Sequence, residues 1–303
     1  MQFQMKKSLA YSPWQRFRWQ LRIKIGRYFN SFIDPVAALD LAERRAYVSA
    51  ARSPGNRLTD AQIAGLSAYM LSVQDRAIRQ EYFRTTPLER TFQGLAVPLV
   101  EEVLKRDRSV RHVMNIGANY AYIDHVLASR HPQVQFTAVD FAPNLDAYNA
   151  EFKRDNLRFV SGYALELLER AVVKPDLVFF CCTLYEIKNA EIRRYLQLLG
   201  ELGCYVVINE PLYLLPGGGV VDPDSVPPTE SRPVYSLPSP IPGKFGPVAL
   251  VHNYRALVEE NGYRLLHYRG FQPEFTNLRM VQVVAEIGRQ PVIAAPVSAA
   301  LSA

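Results

Sequence analysis

A short apolar run, Val113–Ile116, breaks at Gly117 into Ala118-Asn119-Tyr120-Ala121 and resumes as a helical pattern through Leu127. Strand, tight turn and helix in that order let a ligand approach the backbone at a helix N-terminus. About twenty residues on, the apolar run Val134–Val139 ends in Asp140. If the two strands are parallel neighbours, the Asp140 carboxylate stands beside the turn and can accept both hydroxyls of a ribose. That is a nucleoside-binding arrangement; the plain alternative for Asp140 is a solvated acid at a strand end. Phe141 follows the acid, where its ring can stack on the edge of a planar base or join the core.

The elements that must hold these residues begin at residue 109. Strands are expected over 111–116, 134–139, 157–160, 176–182 and 204–209, separated by helices over about 121–131, 144–153, 163–172 and 188–201. Alternation of this kind builds a parallel sheet covered by helices on both faces. A proline- and glycine-rich stretch, Pro211 to Pro247, then interrupts the pattern and reads as a loop insertion over 211–250. A helix near His252–Asn261, closed by Gly262, and two strands, Tyr263–Tyr268 and Leu278–Glu286, complete seven strands. The expected fold is α/β, a Rossmann-like seven-stranded and mostly parallel sheet with an N-terminal helical cover.

Upstream, residues 34–108 read as a helical cap. Thr59-Asp-Ala-Gln62 and Thr86-Pro-Leu-Glu89 both have the pattern of helix starts, the second with proline in the first helical position. Residues 1–33 hold seven basic residues and no acidic one, so the remainder of the chain carries 28 basic against 29 acidic residues despite an overall charge of +6. Trp14, Phe17, Leu21, Ile25 and Tyr28 recur at helical spacing opposite Arg16, Lys24 and Arg27. This basic amphipathic arm suits peripheral contact with an anionic membrane and equally suits docking on the protein's own body. Residues 290–303, built of small side chains, read as a disordered tail behind a domain spanning 109–289.

No apolar run reaches the length of a membrane span, so the expected compartment is the cytoplasm, with association at the inner membrane face through the arm. Cys181, Cys182 and Cys204 sit inside apolar runs rather than in spaced pairs, which argues against a disulfide framework or a metal cluster.

Alternating units, a glycine turn after the first strand, an acid ending the second and a closing hairpin together resemble the class I S-adenosylmethionine-dependent methyltransferases. The resemblance implies that the last strand inserts antiparallel between the fifth and sixth. It assigns Asn115, Gly117, Ala118 and Asn119 to the cofactor turn, Asp140 to the ribose, Gly162 and Tyr163 to the adenine side, and Cys182 to the wall after strand four. In that family an acid usually stands at 115, glycines at 119 and 121, and often an acid at 163; only Gly117 of the glycine set is kept. Asparagine tolerates the dihedrals of such a turn better than most residues. A looser likeness to bacterial sugar O-methyltransferases rests on Gly117-Ala-Asn-Tyr120 and Val251-His-Asn-Tyr254.

Methyl transfer to a hydroxyl needs an aligned acceptor and a base. Residues at the carboxyl ends of strands are the candidates: Tyr185 and Glu186 after strand four, Glu210 after strand five, and His252 at the start of the final helix. His252 is the foremost by side-chain chemistry, because imidazole titrates near neutrality. The implied cofactor is S-adenosyl-L-methionine without a metal, and the implied acceptor is a hydroxyl of a sugar, glycoconjugate or other small molecule. Nucleic acid is disfavoured, since Cys181-Cys-Thr-Leu-Tyr185 lacks the acid or asparagine followed by Pro-Pro that base methylation requires. A nicotinamide enzyme would need glycines at 117, 119 and 122, where Asn119 and Tyr122 stand. The rival from another class is a catalytically silent scaffold that keeps the fold.

Overall fold

The structure is a computed structural model that describes residues 83–140, 145–212, 222–235, 248–275 and 279–288. The arm 1–33, the capping pattern at Thr59, Phe141 and the tail 290–303 lie outside the described residues. Among the described residues nine strands follow in chain order: β1 (His112–Ile116), β2 (Gln135–Asp140), β3 (Leu157–Ser161), β4 (Leu177–Cys181), β5 (Tyr205–Leu212), β6 (Arg232–Tyr235), β7 (Val248–Val251), β8 (Tyr263–Phe271) and β9 (Arg279–Ile287). Among the described residues the six α-helices are α1 (Val97–Arg106), α2 (Tyr122–Arg130), α3 (Leu145–Tyr148), α4 (Ala164–Glu169), α5 (Asn189–Glu201) and α6 (Tyr254–Glu260).

Seven strands form one sheet in the order β3-β2-β1-β4-β5-β9-β8. All run parallel except β9, which lies antiparallel between β5 and β8. The sheet is therefore the Rossmann-like, seven-stranded arrangement expected, with the last strand inserted antiparallel. β4 shows why: Leu-Val-Phe-Phe-Cys is buried along its whole length, as a strand covered on both faces must be. Successive side chains then serve opposite layers. Met114, Ile116, Val178 and Phe180 pack with α4, α5 and α6, while Val113, Leu177 and Phe179 pack with α1 and α2. The part of the 34–108 segment that includes α1 thus contributes to the sheet's own core.

Three local expectations are corrected. The helix expected over 144–153 is one turn, α3, followed by a 3-10 turn at Ala150–Phe152. Between them Asn149 leaves helical geometry and spends its side chain on the glycine turn. At Thr86-Pro-Leu-Glu89 the chain makes only a 3-10 turn, Leu88–Arg90, without a side-chain cap; the hydroxyl that organises the segment is Thr91, which donates to Leu88 O and accepts from the Gly94 amide. The 211–250 insertion is not all loop. β5 extends to Leu212, and β6 and β7 pair as a separate antiparallel ribbon.

A buried polar pair ties the segment before α1 to the end of the sheet. Gln282 Nε2 on β9 donates to Leu95 O at 3.1 Å and to Asn209 Oδ1 at 3.0 Å, and Asn209 Nδ2 on β5 donates to Phe92 O at 2.9 Å. Replacing Gln282 by leucine leaves the Leu95 carbonyl and the Asn209 amide without that donor. Gln282→Leu should therefore lower the unfolding free energy by roughly 1–3 kcal/mol in a denaturant melt, and hydrogen exchange should speed up first at residues 92–96.

Candidate functional site

Because β1 sits between β2 and β4, connections leave it in opposite directions, and a crevice opens at the carboxyl ends of the strands. A cavity of about 320 Å³ fills that crevice, within the ~300–1,000 Å³ usual for small-molecule sites. Its wall brings together Asn115, Gly117, Ala118, Asn119, Asp140, Gly162, Tyr163, Cys182 and Tyr185. Phe141 lies outside the described residues, and of Glu186 only the backbone is described, in the 3-10 turn Leu184–Glu186.

The glycine turn is built by its neighbours. Gly117 has φ +78°, and a Cβ there would come within 2.4 Å of Thr183 Oγ1. Both facts demand glycine: the left-handed backbone and the side chain of Thr183 packed against the Cα. Thr183 Oγ1 also donates to Ile116 O at 3.1 Å. Asn119 takes φ +41°, the left-handed conformation that asparagine tolerates. The amides of Gly117 and Ala118 donate to Val139 O, that of Asn119 to Asp140 Oδ2 at 2.9 Å, and that of Ala121 to Asn149 Oδ1 at 2.9 Å. The expected display of amides toward a ligand is thus not met at these four residues, whose N–H groups bond protein acceptors. Asn149, fully buried, also donates to Asn119 O at 2.8 Å, so one side chain brackets the turn. From outside, Phe83 stacks on Tyr120, which meets Phe152 edge-on.

Behind the cavity wall lie two residues expected to handle protons. Glu210 is fully buried, and its Oε1 accepts from the amides of Thr183 at 2.8 Å and Leu184 at 2.9 Å, while Oε2 accepts from that of Tyr185 at 3.4 Å. It is an acidic cap for the turn after β4. His252 is also fully buried, with Nε2 at 3.1 Å from Leu184 O; it precedes α6, whose N-cap is Asn253. Burial pushes its imidazole down to about 4, against the partial compensation of the Leu184 and Ile187 backbone contacts. A neutral ring without a face on the cavity anchors the loop rather than receiving a proton from an acceptor. Of the three proton-handling candidates whose side chains are described, Tyr185 is the one that lines the cavity.

Several residues of the site were not foreseen. Glu191, in the first turn of α5 and 1% exposed, also lines the cavity and accepts a 2.5 Å hydrogen bond from Tyr163 Oη. Asp124, in the first turn of α2 and equally buried, accepts from Asn115 Nδ2 at 2.8 Å. Glu191 was detectable as an acid on the apolar stripe of its helix, with Ile192 and Tyr195; α2 has no such stripe, and Asp124 had no signal of this kind. Cys182 carries φ +56° at the cavity wall, a strained conformation held by its amide's bond to Asn209 O. Thr183 and Asn149 had no signal in the sequence. Among the described residues no group of three histidines, cysteines or acids is arranged to hold a metal ion.

Neither a protein-family model nor a curated protein sequence matches the chain. Among solved structures, it is similar to the 1,6-didemethyltoxoflavin-N1-methyltransferase of Burkholderia thailandensis, solved with 1,6-didemethyltoxoflavin and S-adenosylhomocysteine. The two are 13% identical with a TM-score of 0.50 over 78% of this chain and 93% of that one. The N-methyltransferase NodS of Bradyrhizobium japonicum WM9, in complex with S-adenosylhomocysteine, gives 13% identity and a TM-score of 0.47 over 71% and 97% of the respective chains. At this identity the likeness is one of fold.

His252→Ala removes the anchor of Leu184 and leaves a hole, so it should cost about 2–4 kcal/mol of stability. Since the folded imidazole titrates below its ordinary value of 6.5, the stability it contributes is present above pH 6.5 and is lost as pH falls toward 4. The gap in melting temperature between wild type and His252→Ala should accordingly narrow between about pH 7 and pH 4.5.

Proposed function

We propose that the chain binds S-adenosyl-L-methionine in the cavity over Gly117 and Asp140 and directs its methyl group to a small-molecule acceptor. The observation that carries the reading is the position of Asp140. Its carboxylate lines the cavity at the end of β2 with one oxygen steadied by the Asn119 amide. An ionised carboxylate is a pure acceptor with about four lone-pair sites, which suits the paired hydroxyls of a ribose. The cavity's size and its place at the topological switch point support a nucleoside-sized ligand.

When bound, the cofactor supplies an electrophilic methyl group on a sulfonium. Asp140 would hold the ribose, the Asn115–Asn119 turn would carry the amino-acid end, and Gly162 with Tyr163 would flank the base. The tight packing of Gly117 against Thr183, and of Thr183 against the Glu210 carboxylate, fixes the turn and the β4 loop to each other. Tyr185, carried on the turn that Glu210 caps, is the side chain assigned to meet an acceptor hydroxyl; Glu210 accepts from its backbone amide, His252 bonds the carbonyl of Leu184 before it, and both leave the reacting atoms to others. Positioning of this kind supplies much of the barrier reduction in a displacement reaction.

The acceptor we assign is a hydroxyl of a sugar or other small molecule, on the strength of Gly117-Ala-Asn-Tyr120 and Val251-His-Asn-Tyr254 in the sequence. The basic amphipathic pattern of residues 1–33 supports a role at an anionic membrane surface. Among the described residues no helix is long and apolar enough to cross a membrane.

S-adenosylhomocysteine at about a hundred times its dissociation constant should stabilise the wild-type protein by about 2.7 kcal/mol in a thermal melt. Asp140→Ala should weaken that binding by roughly ten- to a hundredfold, the loss of hydrogen bonds to a charged acceptor. No ligand-dependent shift in the wild type would sink the reading and leave a silent scaffold in its place. Separately, deletion of residues 1–30 should abolish sedimentation with phosphatidylserine-containing vesicles; unchanged sedimentation would remove the membrane role of the arm.

A further inference from the structure

β8 is an edge strand of the sheet, and its carboxyl end borders a second cavity. Successive residues of a strand alternate between faces, so Tyr268 and Gly270 share one face, and Gly270 lies opposite Val281 of β9 in the register. A Cβ built on Gly270 would meet no atom of the described residues within 4 Å, and its φ is not left-handed. Neither backbone geometry nor close packing therefore calls for glycine, in a strand that glycine weakens. What the missing side chain provides is room. A cavity of about 470 Å³ lies there, within the ~300–1,000 Å³ usual for small-molecule sites.

The wall has an apolar and a polar part. Leu212, Pro223 and Val281 are buried apolar residues, and Asp222, Asp224, Tyr268 and Arg279 bring the polar groups. The acidic side is held in place by the protein itself. Asp222 Oδ1 accepts from the Asp224 amide at 3.1 Å, and Asn253, the N-cap of α6, donates to the carbonyls of Asp224 and Val226 at 3.2 and 3.1 Å. Tyr268 Oη donates to Asp224 Oδ1 at 2.6 Å, and the Arg255 guanidinium of α6 lies 4.2 Å from the Tyr268 ring centroid. Groups ordered in advance add little to the entropic cost of binding. Arg279 differs, since its guanidinium has no ion pair or hydrogen bond among the described residues.

A ligand for this wall must suit two carboxylates and a guanidinium together. An anion would be repelled by Asp222 and Asp224 and a cation by Arg279, whereas a sugar hydroxyl both donates and accepts. A pyranose ring also has an apolar C–H face, which matches Val281 and the bare backbone of Gly270. We propose that this second cavity binds a pyranose ring, with the C–H face seated over Gly270 and Val281 and the hydroxyls bonded to Asp222, Asp224 and Arg279. The two cavities share no lining residue, so the sugar site goes beyond the methyl-donor reading and stands on its own geometry.

The test is saturation-transfer NMR and titration of the full chain with a panel of methyl glycopyranosides, with inorganic phosphate and spermidine as charged probes. At least one glycoside should bind saturably, and neither charged probe should displace it. Gly270→Leu fills the open space and Arg279→Ala removes the unpaired donor; each should weaken that glycoside at least about tenfold. Both should leave S-adenosylhomocysteine binding as in the wild type, and Arg279→Ala, at an exposed side chain without partners, should leave the melting temperature unchanged. Absence of binding across the panel, displacement by phosphate or spermidine, or glycoside affinity unchanged in both variants overturns the sugar site. Binding of S-adenosylhomocysteine without any glycoside overturns this inference and leaves the methyl-donor reading standing; the opposite pattern does the reverse.

Discussion

The site depends on the contact between Thr183 and Gly117. Two loops, one after β1 and one after β4, converge where the sheet's connections part, and the threonine side chain fills the space that any Cβ at 117 would need. Neither loop has this shape alone. Gly117 supplies a backbone that can turn left-handed, and Thr183 bonds Ile116 O across the gap. The bond from the Thr183 amide to Glu210 then carries the constraint to β5, and the bond from His252 to Leu184 carries it to the segment after β7. A change in any of these four elements is felt at the cavity wall.

Buried polar groups perform most of this positioning. Glu210 and Asn149 each bond several backbone groups in loops that have no regular hydrogen-bond ladder of their own. Burying such side chains is unfavourable unless their partners are in place, so they specify one loop geometry more than they add stability. Asp124 differs, since one of its oxygens is unsatisfied and its ionisation is opposed by burial.

The sheet was legible because its strands are nearly continuous apolar runs separated by amphipathic helices, so the starts of all seven strands fell at or one residue before their observed positions. Gly117 and Asp140, read from the strand–turn–acid pattern, Asn115 and Tyr163, read from the family resemblance, and Tyr185, read from the carboxyl-end rule, all line one crevice. What the rule does not contain is depth. His252 and Glu210 also sit at or beside carboxyl ends, yet both face inward and bond the loop from behind, an outcome decided by the β6–β7 ribbon and the exact turn after β4. Long-range partners such as Asn149 for the glycine turn were equally hidden, because the two are separated by an element boundary that the helical periodicity ran straight through.

The departures of the turn from a glycine-rich pattern have a common physical resolution. Asn119 occupies a left-handed position that asparagine tolerates, and the strain it carries is met by Asn149, which holds its carbonyl, and by Asp140, which holds its amide. Asn115 and Tyr163 each bond an acid projected from a helix, Asp124 from α2 and Glu191 from α5. Carboxyl groups from two helices thus stand beside the cavity in addition to Asp140 at the end of β2. Deeper burial strengthens the field a carboxylate exerts on a bound cation or donor, because less water screens it. It also makes the carboxyl harder to ionise, and burial holds that of Asp124 up at about 7.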